Sequence, residues 1–377
     1  MDSLWFEQSS RARAATRALN ACARTLGTLA GAALALGAVA CGEDDDGDAA
    51  TVALADSGSL TDLQDGKLGI PTTVQVRDGI AWVVESQFDR YAPFGGVGEP
   101  GDFRLVGLPL AGGDPLEIDL PPRFFPEGIA VTPGGQLFVG SVDNGSIYMV
   151  EPGSEQADGF VNGELLTYSA IGMASSRDGR TLWVCDTNTA PDPNADPPIP
   201  PFAAVVGIDI ATSSPIASHI LPVGDAGVFC NDIVVAPSGA LWISESFGGR
   251  IFRVAPEDVF NSGSAEEWLD ADQLKGTPFG INGITLAGGR MFVVNSTTGK
   301  LLGIDPTLSS PSDSDLEEIE LTEVTSDTGD VVAEDLTLVG PDGVTGLSAG
   351  ELLIVENGLG AEADLGRRVV YVRLGAP

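Results

Sequence analysis

The chain has 377 residues, enough for one large domain or two ordinary ones, and its 49 glycines and 25 prolines suit many short strands and turns better than long helices. Nineteen basic residues stand against 54 acidic ones, a net charge of −35. Such a surface repels nucleic acid and anionic membranes and favours cations, although the same charge also serves solubility in salt or outside the cell.

Residues 1–40 read as a leader and not as fold. Arg11, Arg13, Arg17 and Arg24 form a basic segment, and the apolar run 26–40 has the length of a signal core, too short to span a bilayer comfortably. Ala38-Val39-Ala40-Cys41-Gly42 resembles a bacterial lipobox, in which Cys41 becomes the lipidated first residue. Ala38 stands where a large aliphatic residue is usual, and Ala38 and Ala40 would also serve an ordinary signal peptidase. Residues 41–50, with Glu43, Asp44, Asp45 and Asp46, read as a solvated acidic tether. The expectation is an exported monomer, attached to a membrane only through this N-terminal lipid, in the periplasm or at the cell surface. Of four cysteines, Cys22 leaves with the leader and Cys41 is the lipid site. Cys185 and Cys230 remain, and export permits them a disulfide, with free buried thiols as the alternative. The absence of a CxxC or Cys/His cluster argues against zinc and thiol redox chemistry.

From residue 71 a module repeats: apolar strand, Gly-rich turn, apolar strand with an aromatic, then two further strands. The second strands read IAWVVE (80–85), QLFVGS (136–141), TLWVCD (181–186), ALWISE (240–245), RMFVVN (290–295) and ELLIVE (351–356). Turn residues such as Arg77-Asp78-Gly79 and Pro133-Gly134-Gly135 separate them from the first strands. Marking the residue two before the first apolar one puts the module starts at Thr72, Glu127, Ile171, Asn231, Asn282 and Glu334, at spacings of 55, 44, 60, 51 and 52. A four-stranded module at this period predicts an all-β, six-bladed β-propeller over residues 51–377. A two-sheet sandwich would not explain a repeated strand pair. The last module runs out after RVVYVRL (368–374) without a fourth strand, so residues 51–55 (TVALA) are expected to close that blade.

First strands line a propeller's channel, so the six marked residues should ring one mouth. Glu127, Asn231, Asn282 and Glu334 are oxygen donors there. With water or the backbone carbonyl of Ile171, they make a plausible calcium site of six or seven oxygens. The plain alternative is that these residues only cap and turn strands.

Six modules with Glu127-Gly128-Ile129, Asn231-Asp232-Ile233, Asn282-Gly283-Ile284 and the acidic pair Glu334-Asp335 before Leu336 resemble the calcium-dependent six-bladed propellers. That group includes the senescence-marker/gluconolactonase proteins, the paraoxonases and the squid-type phosphotriesterase. The resemblance covers about residues 71–374. It implies a channel calcium held by a Glu, two Asn and an Asp, and hydrolysis of lactones, aryl esters or organophosphates. Glu127, Asn231 and Asn282 match their counterparts by register. Glu334 falls where the Asp is expected, with Asp335 beside it.

His219, the sole histidine, lies in an apolar stretch that reads as an outer strand, which argues against a Ser-His-Asp triad and the paraoxonase histidine pair. Hydrolysis would then rest on calcium and a carboxylate base or nucleophile, Glu334 or Asp335, with Glu127 mainly a ligand. Asp186, Glu245 and Asn295 end second strands at the same mouth, as supports, substrate contacts or merely solvated strand ends. The Pro-rich loop 188–202 is expected over that face as a stiff wall or lid. Loop 87–102 brings Phe88, Tyr91 and Phe94, either as an apolar rim for a small-molecule substrate or as packing on the blade below. The competing function is a non-catalytic NHL or strictosidine-synthase-like propeller that binds a ligand or protein partner, with any metal structural.

Overall fold

The computed structural model describes residues 57–64, 68–324, 331–358 and 367–374. The leader, Cys41, the acidic tether and residues 51–55 lie outside them. Apart from four short 3-10 turns, the regular elements among the described residues are strands, arranged in six sheets.

The innermost strands are Pro71–Arg77, Pro126–Val131, Ser169–Ser175, Cys230–Val235, Ile281–Ala287 and Pro341–Ser348. Each packs on the next, and the sixth returns to the first, so the ring is closed. Each pairs antiparallel with its own second strand. This is the six-bladed propeller that the repeat predicts.

All six inner strands share one irregularity. The ladder skips two residues, at 72–73, 127–128, 171–172, 231–232, 282–283 and 342–343. A bulge frees its residues from the ladder and re-aims the first side chain. The second is usually glycine, because the neighbouring blade's backbone crosses there. A Cβ at Gly128 would lie 2.0 Å from the Ile171 carbonyl oxygen, and one at Gly172 would lie 2.1 Å from that of Asn231. Gly283 meets the Asp342 carbonyl in the same way, at 2.5 Å. Large side chains fill the space between blades, among them Trp183, Phe138, Phe252 and Phe292, all fully buried.

The sixth blade corrects the expected register. Its inner strand is Pro341–Ser348, carrying Asp342-Gly343-Val344, and not residues 336–339. Val331–Leu336, which holds Glu334 and Asp335, pairs with Glu320–Val324 at the far edge of the sheet. It stands five strands from the inner one, roughly 24 Å at normal strand spacing. The hairpin explains the difference: Ser348 pairs with Glu351 across a tight turn, as Arg77 does with Ile80 and Ala287 with Arg290 in the first and fifth blades. The expected register would have left residues 340–350 as a loop. In the fourth place of this blade, Ser57–Gln64 runs antiparallel to Arg368–Leu374 and parallel to Glu320–Val324.

Gly128→Ala is expected to cost at least ~1–3 kcal/mol, since neither backbone can move without opening the ring. Gly134→Ala, whose Cβ would meet only the Thr132 hydroxyl at 3.5 Å, should change denaturant midpoints little. Equal midpoints for the two variants would show that the blades do not pack through these glycines.

Candidate metal centre and ligand cavity

The bulges place their first side chains around a cavity of about 440 Å³ at one mouth of the channel. Glu127, Ile171, Asn231, Asn282 and Asp342 line its floor, and all are buried. Three of the four oxygen-donor positions expected from sequence therefore meet, with Asp342 standing where Glu334 was expected. Glu334 and Asp335, expected as ligand and catalytic residues, sit on the outermost strand of the sixth blade instead. Thr72 turns aside and donates its hydroxyl to the Glu127 carbonyl at 3.0 Å.

The orientation of the two amides follows from a proton count. Ser246 spends its only hydroxyl proton on the Ile281 carbonyl at 2.5 Å, so it can only accept from Asn231, 2.8 Å away. Ser296 likewise donates to the Pro341 carbonyl at 2.6 Å and accepts from Asn282 at 2.9 Å. Each asparagine must turn its Nδ2 toward the serine, which leaves Oδ1 for the channel. Each serine also ties one blade's amide to the backbone just before the next blade's floor residue. Asn357 ends the series by donating to Asp342 Oδ2 at 2.7 Å. Sequence reading missed these residues because a serine after a strand carries no motif of its own.

A third carboxylate lies at the axis. Asp232 occupies the bulge position where four blades have glycine, and it accepts from the backbone amides of Ile233 at 2.8 Å and Ile284 at 3.1 Å. Withdrawal from water pushes Asp232 up to about 7 against those two hydrogen bonds. Burial also raises Asp342 to about 7, opposed by the Asn357 and Asn282 amides and reinforced by Asp232. Glu127 is raised well above the usual carboxylate range, first by burial and then by the charges of Asp342 and Asp232. Its Oε2 is buried without a hydrogen-bond partner. Among the described residues, no basic side chain is one of the groups acting on the three.

The second-strand ends do different work from that expected. Asp186, Glu245 and Asn295 are buried, and none lines the cavity. Asp186 accepts from the Thr167 and Tyr168 amides at 2.7 and 2.8 Å, and burial raises its pKa against these bonds. Glu245 holds the Phe229 amide at 2.9 Å and the Arg250 guanidinium at 2.8 Å. Asn295 donates to the carbonyls of Gln273 and Lys275 at 3.0 and 3.1 Å. Glu85 with Arg104 and Glu356 with Arg368 repeat the Glu245 arrangement. These side chains pin the segments that lead into the inner strands. Cys185 and Cys230 form a disulfide, Cα atoms 5.4 Å apart, that joins the third and fourth blades beside Asn231.

Loop 87–102 both lines and packs. Phe88 and Phe94 face the cavity, while Tyr91 is buried against Phe125 and donates to the Val142 carbonyl at 3.2 Å. Phe94 crosses the mouth to meet Phe229 and Phe279, ring centroids 6.5 and 5.8 Å away. None of residues 188–202 lines the cavity, so that loop is not its wall. His219 is buried, its Nε2 2.8 Å from the Val259 carbonyl and remote from the cavity lining.

Two carboxylates, two amide oxygens and a nearby backbone carbonyl make a hard, all-oxygen donor set. Together with the orphaned Glu127 oxygen, they fit a divalent cation of the calcium type.

Solved structures share this fold. A luciferin-regenerating enzyme superposes with a TM-score of 0.57 at 11 % identity, covering 84 % of this chain and 95 % of its own. Regucalcin from Agrobacterium tumefaciens, described as a calcium-binding protein, gives 0.54 at 13 % identity, covering 84 % of this chain and 95 % of that one. A streptogramin B lyase gives 0.52 at 15 %, covering 84 % and 97 %. The expected likeness to six-bladed propellers of the senescence-marker kind thus holds at the level of fold. No family profile and no curated protein matches the sequence.

The raised carboxylates set a pH dependence. Between about pH 4, where unfolded carboxylates ionise, and about 7, where Asp232 and Asp342 do, the folded state holds protons that the unfolded chain has lost. The contribution to stability is full below that window and is lost as pH rises through it. Chelated protein should therefore melt higher at pH 5 than at pH 8, and added calcium should raise the melting temperature more at pH 8. A calcium effect independent of pH would contradict this.

Proposed function

We propose that the floor residues Glu127, Asn231, Asn282 and Asp342 hold calcium and that the cavity hydrolyses small lactones or related esters. The observation that carries this reading is the set of buried, mutually repelling carboxylates beside two amides whose serine partners turn both oxygens inward. When bound, the cation supplies a Lewis acid for an ester carbonyl and makes the buried charge tolerable.

The chain's own groups do the rest. Asp342 is the acceptor for the proton of an attacking water, and Asn357 holds the carboxylate in place through Oδ2. The water oxygen bonds to the carbonyl carbon, the ester C–O bond breaks, and the departing alkoxide takes the proton that Asp342 received. Ser246 and Ser296 keep the amide oxygens aimed, and Phe94, packed across the mouth, excludes bulk water. Asp342 replaces the Glu334 and Asp335 roles expected from sequence. The Cys185–Cys230 disulfide supports the reading of an exported protein, with Cys41 as its lipid site.

Hydrolysis of dihydrocoumarin and phenyl acetate, measured with and without chelator, tests the proposal. Chelation should abolish turnover, and Asp342→Asn should lower kcat by about 10²- to 10⁴-fold. Glu334→Gln should leave turnover unchanged. Activity indifferent to chelator or to Asp342→Asn would overturn the mechanism. The absence of histidine, lysine and arginine from the cavity lining among the described residues favours a second reading, a ligand-binding propeller with a structural cation. Calcium binding without turnover of either ester would select it.

A further inference from the structure

The donors around the cavity show which substrates it can take. A polyol or sugar lactone presents several hydroxyls, and each needs a partner once buried. The lining side chains have few donors left. Asn231 and Asn282 each give one amide proton to Ser246 and Ser296, the Asn282 amide also bonds Asp342, and Ser296 gives its own proton to the Pro341 carbonyl. Thr297 donates to the Phe279 carbonyl at 2.6 Å, and Asn357 to Asp342. Among the described lining side chains, only the Thr277 hydroxyl and the second amide proton of Asn231 stand outside such bonds. The carboxylate and amide acceptors are on the floor, where the cation would take them.

The opposite side is apolar. Phe88, Phe94, Phe229, Phe279 and Pro278 form a continuous wall that reaches from the first blade's loop to the fourth and fifth blades. The Phe229 and Phe279 rings meet edge to face at 5.2 Å, and Phe247 backs both at 5.2 and 5.6 Å. A wall held this way is preformed and loses little freedom when a ring lies on it. Among the described residues no lysine, arginine or histidine lines the cavity, so nothing there offsets a substrate carboxylate or phosphate above the buried Glu127 and Asp342 and the part-buried Asp232.

We infer that the site takes uncharged esters or lactones whose non-reacting part is an aromatic ring or short alkyl chain, and that it rejects hydroxylated sugar lactones and anionic esters. A cavity of about 440 Å³ fits one such small ring system. The inference rests on the floor being the ester-binding, cation-holding site proposed above. It assigns Phe94, Phe229 and Phe279 as the surface that sets specificity.

Non-hydrolysable lactams separate this inference from the question of turnover. Calcium-saturated protein is titrated calorimetrically with 3,4-dihydro-2(1H)-quinolinone, an aryl lactam, and with D-gluconolactam. The aryl lactam should bind at least tenfold tighter, because each stranded hydroxyl of the sugar lactam weakens binding on the order of tenfold. Phe279→Ala should weaken the aryl lactam about tenfold, and Phe279→Leu, which keeps apolar bulk without the ring, should weaken it less. Equal or tighter binding of gluconolactam, no binding of either, or no effect of both variants would overturn the inference. If the aryl lactam binds as expected while dihydrocoumarin is not turned over, the specificity stands and the hydrolase reading falls.

Discussion

Glu127, Asp232 and Asp342 bring three carboxylates together at the hub of the ring with no basic side chain among the described residues acting on them. Withdrawing one charge from water costs several kcal/mol, and each like charge nearby adds to it. A chain keeps such an arrangement only if protons or a cation compensate it. The propeller makes it geometrically available, because six inner strands begin at one face and each carries its bulge in the same register. The glycines of those bulges let each blade's backbone approach the next, which gathers the floor residues around one cavity.

The rest of the site serves that centre in layers. Ser246 and Ser296 settle the amides while stitching consecutive blades together. Beneath Asn231, the disulfide fixes the join between the third and fourth blades. Around the rim, Glu85, Asp186, Glu245, Asn295 and Glu356 hold the backbone that feeds five of the six inner strands. Above, the loop from the first blade crosses to the fifth and divides the cavity into an oxygen floor and an aromatic wall. This division suits a reaction in which one end of the substrate is polarised and the other is merely held.

Much of this was legible in the sequence because it repeats. Strand pairs such as IAWVVE and ALWISE, each with its turn, disclose six blades, and the register of Glu127, Asn231 and Asn282 discloses a converging floor. Asp342 escaped because Pro341-Asp342-Gly343 has the composition of a reverse turn, while Glu334-Asp335-Leu336 imitates an acidic residue before a strand. The short separation that the other five blades keep between the bulge and the end of the second strand was the signal that could have decided between them. Asp232 shows no role in the sequence, because its partner is the Ile284 amide 52 residues away. Asp186 and Glu245 looked like solvated strand ends, since their partners are backbone amides that sequence does not display. The proline loop was expected over the cavity from its place in its blade, but it does not line the cavity.

The central claim is that one divalent cation sits among Glu127, Asn231, Asn282 and Asp342. A crystal of the protein grown with manganese in place of calcium, measured at a wavelength with anomalous signal from the metal, tests it most directly. The account predicts a single strong anomalous peak on the channel axis within coordination distance of those four side chains. A channel without a peak, or one whose metal is bound by Glu334 or Asp335, would contradict it.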